Sequence, residues 1–254
     1  MPTRRRLLVA APLALLAGCA TRFYDEQQAE AAAPQLRLQN PGLAPSSGDV
    51  IAAKAGDLLP GDIILSAANG VTSMGIRLVT LAPVSHASLY VGGGDIAEAV
   101  GEGIRRRPME RFLEEEATAV ALRHPAVREE HVQLMNAFVA DTVGQKYNLM
   151  GVMLQAPFAI DRKLCELPLT PSLVRDFCLQ GLGAIHLGLG RSDTFFCSQF
   201  VLEAYRRAGL PLTAADPRLL SPADLLHMRE GDVPSVRSHQ ALLYVGHLKV
   251  QPPA

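Results

Sequence analysis

Hydrophobic and polar positions fall into short runs through the middle of the chain and into helical spacing further on. Leu58-Leu59-Pro60-Gly61-Asp62 reads as a turn feeding Ile63-Ile64-Leu65, a short buried strand. Ile76, Leu78, Val79 and Leu81 follow at helical spacing, with Ser73 placed to cap the helix and Pro83 to end it. The run His86 to Val91 is strand-like and largely apolar, and Gly92-Gly93-Gly94 turns it into Asp95 to Val100, which predicts a β-hairpin. A strand near Ala119 to Leu122 comes next. A helix from about Val127 to Val143 then carries Val132, Met135, Phe138 and Val139 on one face. Ser198 to Ala208 is a second helix, closed by Gly209 and Pro211, and Gln240 to Val250 reads as a final strand. Leu149 to Gly190 mixes Gly, Pro and apolar residues and reads as a partly helical insert flanking or covering a site. No internal repeat stands out. The fold class predicted is α+β, a mostly antiparallel sheet with helices packed on it.

The first residues follow a different logic. Arg4-Arg5-Arg6, an apolar run from Leu7 to Ala17, then Gly18 and Cys19 have the order of a secretory signal peptide. The run is too short for a bilayer span, which needs about 20 apolar residues. Leu16-Ala17-Gly18-Cys19 resembles a bacterial lipobox, which implies cleavage after residue 18 and lipid modification of Cys19. The expected organisation is a lipoprotein signal peptide over 1–18, the lipidated Cys19 with a flexible tether over 19–55, and one folded domain over 56–254. A helix around Tyr24 to Ala33 fits the pattern inside the tether. The expected location is the bacterial cell envelope, lipid-anchored, with the outer membrane facing the periplasm favoured because Ala20, not Asp, follows Cys19.

Composition narrows the classes. The chain has 254 residues, 48% of them hydrophobic, enough for a real core once the leader is discounted. Its formal net charge is -1 and it has no Trp, which together argue against nucleic acid as a partner. No His-Glu-x-x-His and no cysteine pair at zinc spacing occurs, so the site is expected to hold no metal and to need no cofactor. No Lys-Ser or Lys-Thr follows the glycine triplet, so it reads as a hairpin turn and not as a phosphate loop.

The candidate chemistry begins at Phe195-Phe196-Cys197-Ser198-Gln199, where a cysteine enters the first turn of a helix. The macrodipole and the amide N–H groups there favour a thiolate, the nucleophilic form, and can also hold an oxyanion. Taken alone, Cys197 reads more readily as a small buried hydrophobe. A thiolate nucleophile needs an imidazole, and the imidazole an orienting group. His86 opens an apolar strand, and Glu98 lies on the next strand of the hairpin, where a carboxylate is out of place unless paired. Seen singly, His86 reads as a satisfied core histidine and Glu98 as a solvent-facing residue.

Together, five short segments in order form a pattern: Gly61-Asp62-Ile63-Ile64, Ser85-His86, Glu98-Ala99, Gly144-Gln145-Lys146-Tyr147 and Phe196-Cys197-Ser198-Gln199-Phe200-Val201. This order resembles the permuted NlpC/P60-like, papain-like cysteine hydrolases of the YiiX/YaeF type, over about Asp57 to Leu210. The resemblance implies Cys197 as nucleophile, His86 as base and Glu98 as orienting residue. It also implies a role for Tyr147 in positioning substrate. Asn148 stands where an Asp is common, and the Pro157 to Asp193 insert departs from the pattern.

The remaining residues have plainer readings. An oxidising compartment permits a disulfide between Cys165 and Cys178, and two buried thiols are the alternative. His124, His131, His186, His227, His239 and His247 read as surface or packing residues. Arg105-Arg106-Arg107 and Glu114-Glu115-Glu116 read as solvated faces, the arginines also as a contact for an anionic head group. The expected partners are the membrane, through the anchor, and a peptidoglycan peptide or lipid substrate. An alternative keeps the groove and drops the chemistry: a non-catalytic envelope lipoprotein that binds peptide or lipid.

Overall fold

In the computed structural model, the described residues are 19–22, 35–38, 40–145 without 41, 47 and 81, and 195–250 without 232, 234, 235 and 237. Residues 161, 162, 165, 174, 177–179, 181 and 182 of the insert are described as well. The signal segment 1–18, the helix expected at Tyr24 to Ala33, and Tyr147 with Asn148 lie outside the described residues. A two-stranded antiparallel ribbon comes first, β1 (Cys19–Arg22) with β2 (Gln35–Leu38). The main body is a six-stranded sheet of β3 (Ile63–Ala68), β4 (His86–Gly92), β5 (Asp95–Val100), β6 (Gly103–Pro108), β7 (Glu116–Arg123) and β8 (Leu243–Lys249). Their spatial order is β6-β5-β4-β3-β7-β8, and every neighbouring pair is antiparallel. The expected α+β class, with an antiparallel sheet and packed helices, is what the chain adopts.

The helices are α1 (Val71–Thr80), α2 (Met109–Glu115), α3 (Glu129–Thr142), α4 (Cys197–Arg207) and α5 (Pro222–His227). One sheet face carries Ile63, Leu65, Ala87, Leu89, Val91, Ala97 and Ala99 and packs against Met135, Phe138 and Val139 of α3 and Phe200, Val201 and Ala204 of α4. The other carries Ile64, Tyr90, Ile96, Ala119 and Ala121 beneath Met109 and Phe112 of α2. Burial on both faces explains why β3 and β4 are nearly continuous apolar runs. The β4–β5 turn is made by Gly93 and Gly94, both at positive φ (66° and 83°), the two-residue geometry that matches strand twist.

Two expectations change here. α1 begins at Val71, so Ser73 lies inside the helix, where its hydroxyl meets that of Ser85 at 2.7 Å. The stretch expected as tether contacts the body in its second half. Asn40 Nδ2 and Ser46 Oγ donate to Glu230, and Arg229 donates to the Gly42 carbonyl. Ala52 bridges His247 in parallel, which covers the free edge of β8. These contacts use polar groups and backbone, so no apolar period announced them. Gly246 permits the approach: a Cβ there would stand 2.8 Å from the Ile51 carbonyl oxygen. β6, α2 and α5 were not anticipated either; α5 is opened by a reciprocal Ser221–Asp224 cap.

Three ties fix the helices that carry and flank Cys197. Ser198 Oγ donates to the Leu220 carbonyl at 2.6 Å, and the Tyr205 hydroxyl to the Gly61 carbonyl at 2.5 Å. Arg162 grips Asp224 with two bonds of 2.8 Å, joining the insert to α5. Within the insert, Cys165 and Cys178 form a disulfide, with Cα atoms 5.8 Å apart. Tyr205→Phe strips the Gly61 carbonyl of its donor, with an expected cost of about 1–3 kcal/mol in urea unfolding. Alkylation of the unreduced, denatured protein is expected to modify Cys197 and to spare Cys165 and Cys178 until a reductant is added.

Candidate active site

The site grows from strand register. In an antiparallel pair, residues directly opposite share a face. Ser66 lies opposite His86, Ser88 opposite Glu98, and Glu98 opposite Arg105. One face of four adjacent strands therefore carries a polar line within an apolar sheet. His86 Nε2 and Glu98 Oε2 are 2.7 Å apart. The other carboxylate oxygen accepts from Arg105 Nε at 2.8 Å and lies 2.8 Å from Arg107 Nε. Glu98 is almost fully buried, and His86 is partly exposed.

Cys197 comes from the opposite side. It is the first residue of α4, a helix packed on the other sheet face. His86 is the first residue of β4, at the end of a strand, so its ring meets the thiol around the sheet margin. Cys197 is buried, and His86 and the backbone amides of Ala87 and Ser198 lie close enough to stabilise its thiolate. Glu98 occupies Nε2, which leaves Nδ1 as the ring nitrogen for the thiol. Phe112 lies beside the imidazole, with ring centroids 6.4 Å apart, and the Arg107 guanidinium sits 5.3 Å from the Phe112 centroid.

The charges reinforce one another. Burial by itself pulls the imidazole down, but hydrogen bonds to Cys197 and Glu98 and their negative charges outweigh it and push His86 up to about 10. Burial pushes the Glu98 carboxyl up; the His86 hydrogen bond and charge, with Arg107 and Arg105, override it and hold Glu98 down at about 2. Burial likewise pushes the thiol up, and His86 with the Ala87 and Ser198 amides brings Cys197 below its ordinary value. The arrangement favours a thiolate–imidazolium pair at neutral pH.

Of the residues singled out in the sequence, the structure thus brings Cys197, His86 and Glu98 together. Cys19 is the first residue of β1. Gly144 and Gln145 of the fourth segment pair with Ile104 at the start of β6. The arginine run is not simply a solvated face: Arg105 and Arg107 hold Glu98, and only Arg106 turns outward, to Asp95. Of the glutamate run, Glu114 and Glu115 are exposed and Glu116 is buried. Two-residue spacing of Arg105 and Arg107 is the signal that would have found them, had 103–108 been read as a third strand of the meander. Of the other described histidines, His124, His131, His227 and His247 are buried and His239 is exposed; His124 lies against Tyr205, and His247 hydrogen-bonds Tyr244. Among the described residues, no group of three or more His, Cys, Asp or Glu forms a metal-binding cluster, and no helix is long and apolar enough to cross a membrane.

Fold and site together describe an α+β protein with a thiol, an imidazole and a carboxylate assembled at the end of an antiparallel sheet. The chain is 37% identical over 198 residues to an Escherichia coli (strain K12) protein named "Probable lipoprotein peptidase YaeF", a match covering 77% of this chain and 72% of that one. It belongs to the YaeF family. A solved structure described as the metalloprotein yiiX from Escherichia coli O157:H7 aligns at 18% identity and a TM-score of 0.44, over 77% of this chain and 99% of that one. No protein-family model matches the chain.

The raised His86 value has a direct consequence. The ring keeps its proton through neutrality and releases it only as pH rises through about 10. NMR titration of 13C-labelled histidine is expected to place the His86 midpoint there, against an ordinary value of about 6.5. In Glu98→Gln the midpoint is expected to fall by about 1–3 units, because an amide offers the imidazolium no charge.

Proposed function

We propose that the chain is a cell-envelope cysteine hydrolase of the permuted papain-like kind, with Cys197 as nucleophile, His86 as general base and acid, and Glu98 as orienting residue. The observation that carries this reading is the Glu98–His86 hydrogen bond of 2.7 Å behind a thiol at the first position of a helix. The fold alone does not select a function, because one fold hosts many chemistries. A buried carboxylate, an imidazole and a thiol in series constitute a nucleophile with its base and orienting group.

In the proposed reaction the Cys197 thiolate attacks a carbonyl carbon. A C–S bond forms, and the carbonyl electron pair moves to oxygen. The amide of Cys197, at the helix start where no carbonyl four residues back belongs to the helix, is positioned to donate to that oxyanion. Collapse of the intermediate breaks the bond to the leaving group, which takes the proton from His86. Water then gives a proton to His86 and attacks the thioester; the Cys197 thiolate leaves, the acid is released and the thiolate–imidazolium pair is restored. Glu98 stays ionised throughout and keeps Nε2 engaged, so that Nδ1 faces the sulfur. Tyr147 retains its proposed place in substrate positioning.

The name of the E. coli relative supports a peptidase activity and a lipoprotein. With the lipobox at Leu16–Cys19 it favours an envelope substrate carrying an amide, ester or thioester bond, within reach of a lipid anchor on Cys19. The domain division of signal peptide 1–18, lipidated segment 19–55 and hydrolase domain 56–254 belongs to the same proposal.

Limiting iodoacetamide with peptide mapping tests the centre of it. In the detergent-solubilised full chain, Cys197 is expected to alkylate rapidly at pH values well below the ordinary thiol value of about 8.5. His86→Ala is expected to slow that reaction at pH 6 at least tenfold, since the thiol keeps its burial and loses its imidazolium. If Cys197 reacts no faster at pH 6 than an ordinary cysteine, the chain is a binding lipoprotein and not a thiol hydrolase.

A further inference from the structure

The carboxylate of Glu116 takes no part in the mechanism above, yet the fold carries it to the same place. Glu116 closes α2, its backbone N–H donating to the Phe112 carbonyl, and opens β7. Along β7 the pairing with β3 runs Ala119 to Ser66, Thr118 to Ala67 and then Glu116 to Ala68, skipping Ala117. This one-residue bulge decides the outcome. With regular pairing, Ala117 would face Ala68, and Glu116 would point to the face packed on α3 and α4. With the bulge, Glu116 shares a face with Ala68, Ser66 and His86.

On that face the Ser66 hydroxyl lies beside the Glu116 carboxylate, and neither Ser66 Oγ nor Glu116 Oε2 has a hydrogen-bond partner elsewhere. Ser66 is fully buried, and Glu116 is more than nine-tenths buried. Around them stand His86 from β4, Glu98 from β5, Arg107 from β6 and Phe112 from α2.

We propose that Glu116 is a positioning residue of the site, a second carboxylate that acts through His86 by sharing its buried sheet face across Ser66. This rests on the thiol–imidazole reading above. As an anion, Glu116 adds to the negative potential that keeps the imidazolium protonated. As a neutral acid, it leaves Glu98 to do so alone. Burial and the nearby charge of Glu98 push the Glu116 carboxyl up; the His86 charge, the Ser66 hydroxyl and Arg107 pull against them, and the net direction is upward. The site therefore loses one stabilising anion at a pH above the ordinary carboxylate range. Glu98, held at about 2, remains ionised there.

The test uses the detergent-solubilised full chain with 13C-labelled histidine, the His86 signal being assigned with His86→Gln. The wild type is expected to show the main His86 transition near 10 and a second, smaller inflection at a pH above 4.5, where Glu116 ionises. Glu116→Gln is expected to abolish the inflection. It is also expected to lower the main midpoint by about one unit, the order for a unit charge two strands away at an effective dielectric of about 20. Glu116→Met, similar in volume and without a charge, is expected to do the same. A purely structural role changes unfolding midpoints and leaves both features of the titration in place, and that result would overturn the proposal. The wild-type trace is decisive even if both variants fail to fold, because absence of the inflection also overturns it. Failure of the hydrolase reading looks different: the wild-type His86 then titrates near its ordinary value, and Cys197 alkylates slowly.

Discussion

A carboxylate placed in the middle of an antiparallel sheet with almost no contact with water is costly unless its charge is met on several sides. Glu98 is in that position, and its surroundings read as the answer to it. His86 takes one oxygen, and Arg105 and Arg107 converge on the other. The three partners come from the strands on either side, so the charge is balanced only when β4, β5 and β6 are in one register. A slip of one residue would turn every one of these side chains to the opposite face. The site and the register of half the sheet thus depend on the same cluster.

The cluster also accounts for how the thiol can be placed. α4 lies on the apolar face of the sheet, and the charged line runs along the other. Thiol and imidazole meet because each stands at the end of its element, Cys197 at a helix start and His86 at a strand start. Ser198, buried and bonded to Leu220, and Tyr205, bonded to Gly61, hold α4 at both ends. Packing of this kind keeps an ion pair at fixed geometry, which proximity and orientation effects in the proposed reaction require.

The sequence carried the local parts of this picture. The hairpin around Gly92-Gly93-Gly94 was legible because three glycines between apolar runs leave few alternatives. The helix from Cys197 was legible because its apolar positions and its Gly209 stop agree. The order of His86, Glu98 and Cys197 was readable from short motifs. The third strand of the meander was not: Ile104 is the only large apolar residue in Gly103 to Pro108, and three consecutive arginines look like a solvated surface. Their alternation became meaningful only opposite Glu98. The docked stretch from Asn40 to Ala55 was missed for a related reason, since polar and backbone contacts leave no hydrophobic period.

What the sequence determined by itself was therefore the set of elements with their own periodicity, the candidate thiol, imidazole and carboxylate, and the lipobox-like start. Each depends on neighbours within about ten positions, where spacing and turn chemistry act directly. Tertiary structure alone decided which charges meet. It placed Arg105 and Arg107 on Glu98, joined Cys165 to Cys178, and through a single bulge at Ala117 turned Glu116 toward His86. Strand register and bulges are set by pairing between distant segments, and a side chain's face changes with each one-residue shift, so no local pattern could have fixed them.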